Sequence, residues 1–157
     1  MNTSYQYILQ SVINKNDFVR DADNTLDTKV GVLLAVIVGV ITLSFTLTNF
    51  ETLSLHKERI LIAGFILAVI SFLILFWIQS PKDYKNVIGG KETIEKYLQI
   101  DQDTLILHLI SDAQYSFTEN NKTLSRKVFW YRVSLDPLIT SFILLLLTIA
   151  PADIIKL

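Results

Sequence analysis

The side chains best equipped for chemistry in this 157-residue chain are its cations. Eight of its fourteen Lys and Arg residues fall between positions 82 and 132: Lys82, Lys85, Lys91, Lys96, Lys122, Arg126, Lys127 and Arg132. Such groups hold phosphate through charge-assisted hydrogen bonds worth about 1.5–3 kcal/mol each. Two sources of phosphate fit the pattern. Lys82, Lys85, Lys91, Arg126, Lys127 and Arg132 either meet anionic lipid head groups as ordinary topology determinants, or converge, in an assembly of several copies, on a small anionic nucleotide. The remaining inventory is poor in catalytic groups. His56 and His108 have no acidic neighbour at metal-ligand spacing, and His108 reads as a half-buried helix residue, so neither a metal site nor a histidine base is expected. Gly89–Gly90–Lys91 has too few glycines and the wrong context for a phosphate-cradling loop and reads as a linker turn. Asp101 and Asp103 suit a helix start, and no serine elbow or paired-carboxylate motif occurs. With no cysteine, thiolate chemistry and disulfides are excluded. The expectation is a non-enzyme without a cofactor.

The elements that would position these cations belong to a membrane protein. Half of the residues are hydrophobic and the formal net charge is −1, which gives no field for nucleic acid; DNA is not an expected partner. The apolar residues are gathered in blocks. Val30–Phe50 lies between Lys29 and Glu51, and Ile60–Ser80 between Arg59 and Lys82, with no ionisable side chain inside either run. Each reaches the ~30 Å of a bilayer's hydrocarbon core at ~1.5 Å per residue. The connector 51–59 is short, so the two runs predict an antiparallel transmembrane hairpin. Thr42, Ser44, Thr46 and Thr48 are tolerable there because their hydroxyls return to carbonyls of the preceding turn. Trp77 falls where an indole sits at the interface. Gly31, Ala35 and Gly39, spaced by four, form a small-residue strip that serves either an oligomer contact or packing within the chain.

Around the hairpin the pattern predicts further helices and no sheet. Tyr5, Ile8, Leu9, Val12, Val19, Ala22 and Leu26 recur at steps of three and four, marking an amphipathic helix over 1–28 that lies along the membrane surface or packs on a partner helix. The seven charged residues through Lys29 are incompatible with a secretory signal, so the first span reads as an uncleaved anchor. Pro81 ends the hairpin. A short helix is expected over 92–98 and a longer one after Asp101, whose packed face is Leu105 or Ile106, Leu109 or Ile110, Ala113, Phe117, Leu124 and Val128. The pair Asn120–Asn121 either interrupts it or lies on a solvated face. A third apolar stretch, Val133–Ala152, spans if Asp136 sits at the interface and Phe129, Trp130 and Tyr131 form an aromatic belt; a re-entrant or surface helix is the alternative.

Together these give an all-α membrane protein: amphipathic cytoplasmic helix 1–28, transmembrane hairpin 29–80, cytoplasmic helical segment 81–132, third transmembrane helix and short tail 133–157. The concentration of Lys and Arg in 82–132, against Lys57 and Arg59 alone in the connector, places the middle segment in the cytoplasm and the connector and carboxyl terminus outside.

Two stretches carry a family resemblance. Asp27–Thr28–Lys29–Val30–Gly31–Val32–Leu33–Leu34–Ala35 resembles the Asp-x-Lys-Ala-x-x-Leu-Leu entry to the first span of bacterial Pycsar-type transmembrane effectors and the related SLATT group. Glu119–Asn120–Asn121–Lys122–Thr123–Leu124–Ser125–Arg126–Lys127 is similar to the Asn…Lys-Lys entry to their last span. The likeness implies antiphage defence: a cyclic nucleotide made during infection binds a homo-oligomeric effector in the bacterial inner membrane, which then breaches the bilayer so that the infected cell stops growing. The chain departs from that pattern in having three spans where some relatives have four, and in lacking an appended nucleotide-binding domain. An effector of a type III CRISPR system gated by cyclic oligoadenylate follows the same logic. A membrane anchor that recruits a soluble partner is the contrasting reading.

Overall fold

A computed structural model describes residues 3–48, 53–80, 84–85 and 101–149. Three helices account for nearly all of them, α1 (Thr3–Leu47), α2 (Leu55–Gln79) and α3 (Gln102–Ile149), and no strand occurs among the described residues. Each of the three contains a segment long and apolar enough to cross a membrane.

Helix boundaries differ from the sequence expectation in a consistent direction. No break separates an amphipathic helix from the first span: α1 runs through Asp27 and Lys29 without interruption. Likewise α3 runs through Asn120–Asn121 and through Pro137. Polar residues do not stop a helix whose backbone bonds remain intact, and a proline inside an apolar helix is tolerated where its neighbours meet the freed carbonyl. The second helix also begins before its apolar run, at Leu55, because Ser54 caps it: Ser54 is extended (φ −69°, ψ 151°) and its hydroxyl accepts from the Lys57 N–H at 3.4 Å. It ends at Ser80, whose N–H is shared between the carbonyls of Phe76 (3.2 Å) and Trp77 (3.3 Å), just before Pro81. The expected helix over 92–98, the Gly89–Gly90 turn and the tail beyond Ile149 lie outside the described residues.

The buried positions repeat every seven residues. On α3 the main series is Ile106, Ala113, Asn120, Lys127, Ser134, Ser141 and Thr148, with Ser116, Leu138 and Leu145 buried beside it; on α1 it is Asn16, Asp23, Val30, Ile37 and Ser44, with Val19 and Leu26 beside it; on α2 there are two interleaved sets, Leu61, Ala68, Leu75 and Gly64, Ser71, Ile78. A seven-residue repeat is the signature of knobs-into-holes packing.

The chain divides into two compact units, residues 1–26 with 81–127, and residues 27–80 with 128–157. In the first, α1 and α3 run parallel, since Asn16 pairs with Asn120 and Asp23 with Lys127 one heptad later in both helices. In the second, α2 runs antiparallel to its neighbours. Phe45 and Phe65 have ring centroids 4.6 Å apart while Gly31 faces Gln79, and on the α3 side Gly64 meets Ser141 while Trp77 meets Trp130. The interior of this second unit draws heavily on small and hydroxyl-bearing residues, and its outward face carries Val32, Val38, Ile62, Ile66, Phe76, Ile139 and Leu146. That is the arrangement expected where lipid replaces water as solvent and close helix approach supplies the cohesion.

Candidate functional site

The polar core of the first unit is the most organised group of functional side chains among the described residues. Heptad spacing turns Asn16 and Asp23 of α1, and Asn120 and Lys127 of α3, into the interface between the two helices, where Asn16, Asn120 and Lys127 are 2%, 1% and 4% exposed. The Asn120 amide is fully used. Its Nδ2 donates to Asn16 Oδ1 at 2.8 Å and to the Lys85 carbonyl at 2.9 Å, and its Oδ1 accepts from the Lys85 N–H at 2.8 Å. One heptad on, Lys127 Nζ lies 2.8 Å from Asp23 Oδ1 and 3.0 Å from Oδ2, with hydrogen-bond geometry met at Oδ2. Its ammonium also lies 5.7 Å from the centroid of the Tyr84 ring, within cation–π range. Removing two opposite charges from water is costly, and only close pairing with further polar contacts offsets it.

Among the described residues, the cations singled out in the sequence do not converge on one site. Lys82 and Lys91 lie outside the described residues. Lys85 is held by its main chain while its side chain is exposed. Arg126 and Arg132 are exposed and, six residues apart on α3, point to different sides of the helix. Lys127 differs from them in kind, because its charge is turned inward onto Asp23. Arg126 and Arg132 therefore offer no shared phosphate site on one chain.

His56 is exposed, and so is His108, which the sequence reading made half-buried; its position falls off the heptad set by Ile106 and Ala113. No cluster of three or more potential metal ligands exists among the described residues.

In the second unit the small-residue strip of α1 is only partly covered. A Cβ on Gly31 would meet Gln79 Nε2 at 3.6 Å, whereas one on Gly39 would meet nothing within 4 Å, and Ala35 is exposed. The close approach is at Gly64 instead. A Cβ there would lie 3.1 Å from Cγ and Cδ2 of Leu145, and the Gly64 carbonyl accepts from the Ser141 hydroxyl at 2.9 Å. Sequence spacing gave no reason to favour Gly64, since a lone glycine in an apolar run has no partner visible in one dimension. The threonines of the first span behave as predicted, donating to carbonyls of their own helix: Thr42 to Val38, Thr46 to Leu43 and Thr48 to Ser44.

The aromatic residues assemble across α2 and α3. Trp77 and Trp130 are in edge contact (6.0 Å, 80°), and Phe129 packs on Trp130 (5.5 Å, 77°). Beside them is a cavity of about 340 Å³ lined by Leu73, Ile74, Trp77 and Trp130. A second, of about 320 Å³, lies between α1 and α3 against Val40, Leu43, Phe142 and Leu145. Both are lined almost wholly by apolar side chains, Ser44 in the second being the exception, and offer no cation to a nucleotide phosphate. Comparison with protein-family models, curated proteins and solved structures finds no match to this chain.

Proposed function

We propose that the protein is a membrane effector of bacterial antiphage defence, gated by a cyclic nucleotide or oligonucleotide, that assembles into a homo-oligomer and permeabilises the inner membrane. The observation that carries this reading is the contrast between the two units. One is an apolar three-helix unit without an ionisable residue between Lys29 and Glu51 or between Arg59 and Lys82; the other has a polar, ion-paired core. The hairpin of the apolar unit lacks the intramembrane charges that enzymes and proton relays require, which favours a passive breach over catalysis. The ion-paired unit offers polar contacts of the kind that switch between arrangements. The cytoplasmic placement of residues 82–132 and the external placement of the connector belong to the same proposal, on the bias of Lys and Arg. Because Arg126 and Arg132 diverge on one chain, an anionic nucleotide is held by cations from several copies. The resemblance of 27–35 and 119–127 to Pycsar-type and SLATT effectors supports the reading, and a type III CRISPR effector gated by cyclic oligoadenylate is its nearest variant.

Production in bacterial cells, alone and together with a nucleotide cyclase, tests it. Loss of membrane potential and growth arrest are expected only with the cyclase. Stable co-purification with a soluble enzyme, with no arrest under either condition, would instead favour a recruiting anchor.

A further inference from the structure

We propose that Asn120 is a clasp that holds the Tyr84–Lys85 main chain against the α1–α3 pair in the resting protein, and that its release is the switch. The consequence for the membrane rests on the effector reading above; the clasp itself does not. Asn120 takes hold of both polar main-chain atoms of one residue, the Lys85 N–H at 2.8 Å and the Lys85 carbonyl at 2.9 Å, while Lys85's own side chain remains exposed. A side-chain amide that pairs with both main-chain groups of one residue in this way reads backbone rather than side-chain identity. It is itself fixed by Asn16, through the 2.8 Å bond across the α1–α3 interface. Tyr84 adds its ring over Lys127, the ammonium of the neighbouring polar layer.

Two features make this a switch rather than packing alone. First, Asn16–Asn120 and Asp23–Lys127 occupy core positions where apolar residues would hold two helices more tightly; polar residues at such positions serve register and reversibility. Second, the clasp joins segments distant in sequence by hydrogen bonds whose net contribution is modest, so a ligand with a differential affinity for the open and closed forms can shift the population.

Hydrogen exchange of the full chain in lipid nanodiscs reads the clasp directly at the Lys85 amide. The wild-type amide should exchange slowly. In an Asn16→Leu/Asn120→Leu variant, which removes both amides from the helix interface and frees the Lys85 N–H and carbonyl, it should exchange roughly tenfold faster or more, while amides of α1 and α3 around positions 16–26 and 113–127 keep their protection. Tyr84→Ala, which leaves the helix interface intact, should accelerate the same amide. Fast exchange at Lys85 in the wild type would overturn the clasp, as would equal loss of protection along α1 and α3 in both variants. In dye-loaded vesicles the double variant should leak without nucleotide. If it stays closed while the wild type leaks with nucleotide, release is not the switch and the effector reading survives. If nothing leaks under any condition, the effector reading fails, and the clasp is judged by exchange alone.

Discussion

Asp23 and Lys127 set the energetics of the first unit through the asymmetry between a paired and an orphaned charge. With both present, the desolvation cost is met by two contacts of 2.8 and 3.0 Å. Lys127→Met alone leaves a carboxylate 9% exposed without its cation, and unfolding experiments should show a loss of about 3–5 kcal/mol. Asp23→Leu/Lys127→Met should recover most of that loss or exceed wild-type stability. Equal destabilisation by the single and double variants would show that neither charge depends on the other. In the sequence Lys127 is one of a row of cations, because a hydrophobic pattern counts a lysine as surface. Its role was legible only in another form: Asn16 and Asp23 are seven residues apart, as are Asn120 and Lys127, and each pair falls in register with the apolar residues of its helix.

Among the elements, existence and type were readable and boundaries were not. The apolar runs carry their own helices, since unpaired backbone in lipid is prohibitive. Charged residues such as Lys29 and the pair Asn120–Asn121 suggested breaks, yet both helices pass through because their polar side chains find partners across the interface or in solvent. Contacts between helices were the least readable part. Gly64, hidden in one dimension, meets α3, whereas Gly39, at the more suggestive spacing, meets nothing. Gly64→Leu should therefore destabilise the protein by about 1–3 kcal/mol through overpacking against Leu145, measured by thermal unfolding in a fixed detergent. Gly39→Leu should leave that transition in place and lower the oligomeric state measured by light scattering, if the open strip is where copies meet. An unchanged assembly would remove Gly39 from the contact.

For the whole molecule, the sequence showed three apolar segments and a basic middle, and the three helices are long and apolar enough to span. The two-unit division, with α1 and α3 contributing to both units, needed the three-dimensional contacts. Orientation can be tested cleanly because the chain has no cysteine. His56→Cys, at an exposed position in the first turn of α2, should react with a membrane-impermeant maleimide in intact spheroplasts, and Lys122→Cys only after permeabilisation; the reverse pattern would invert the topology. The most direct test of gated permeabilisation uses the purified protein in vesicles loaded with a self-quenched dye, challenged in turn with cyclic mononucleotides, cyclic dinucleotides and cyclic oligoadenylates. Dye release with one class, together with a shift to a larger assembly, is the predicted result. Absence of both binding and release across all three classes would contradict it.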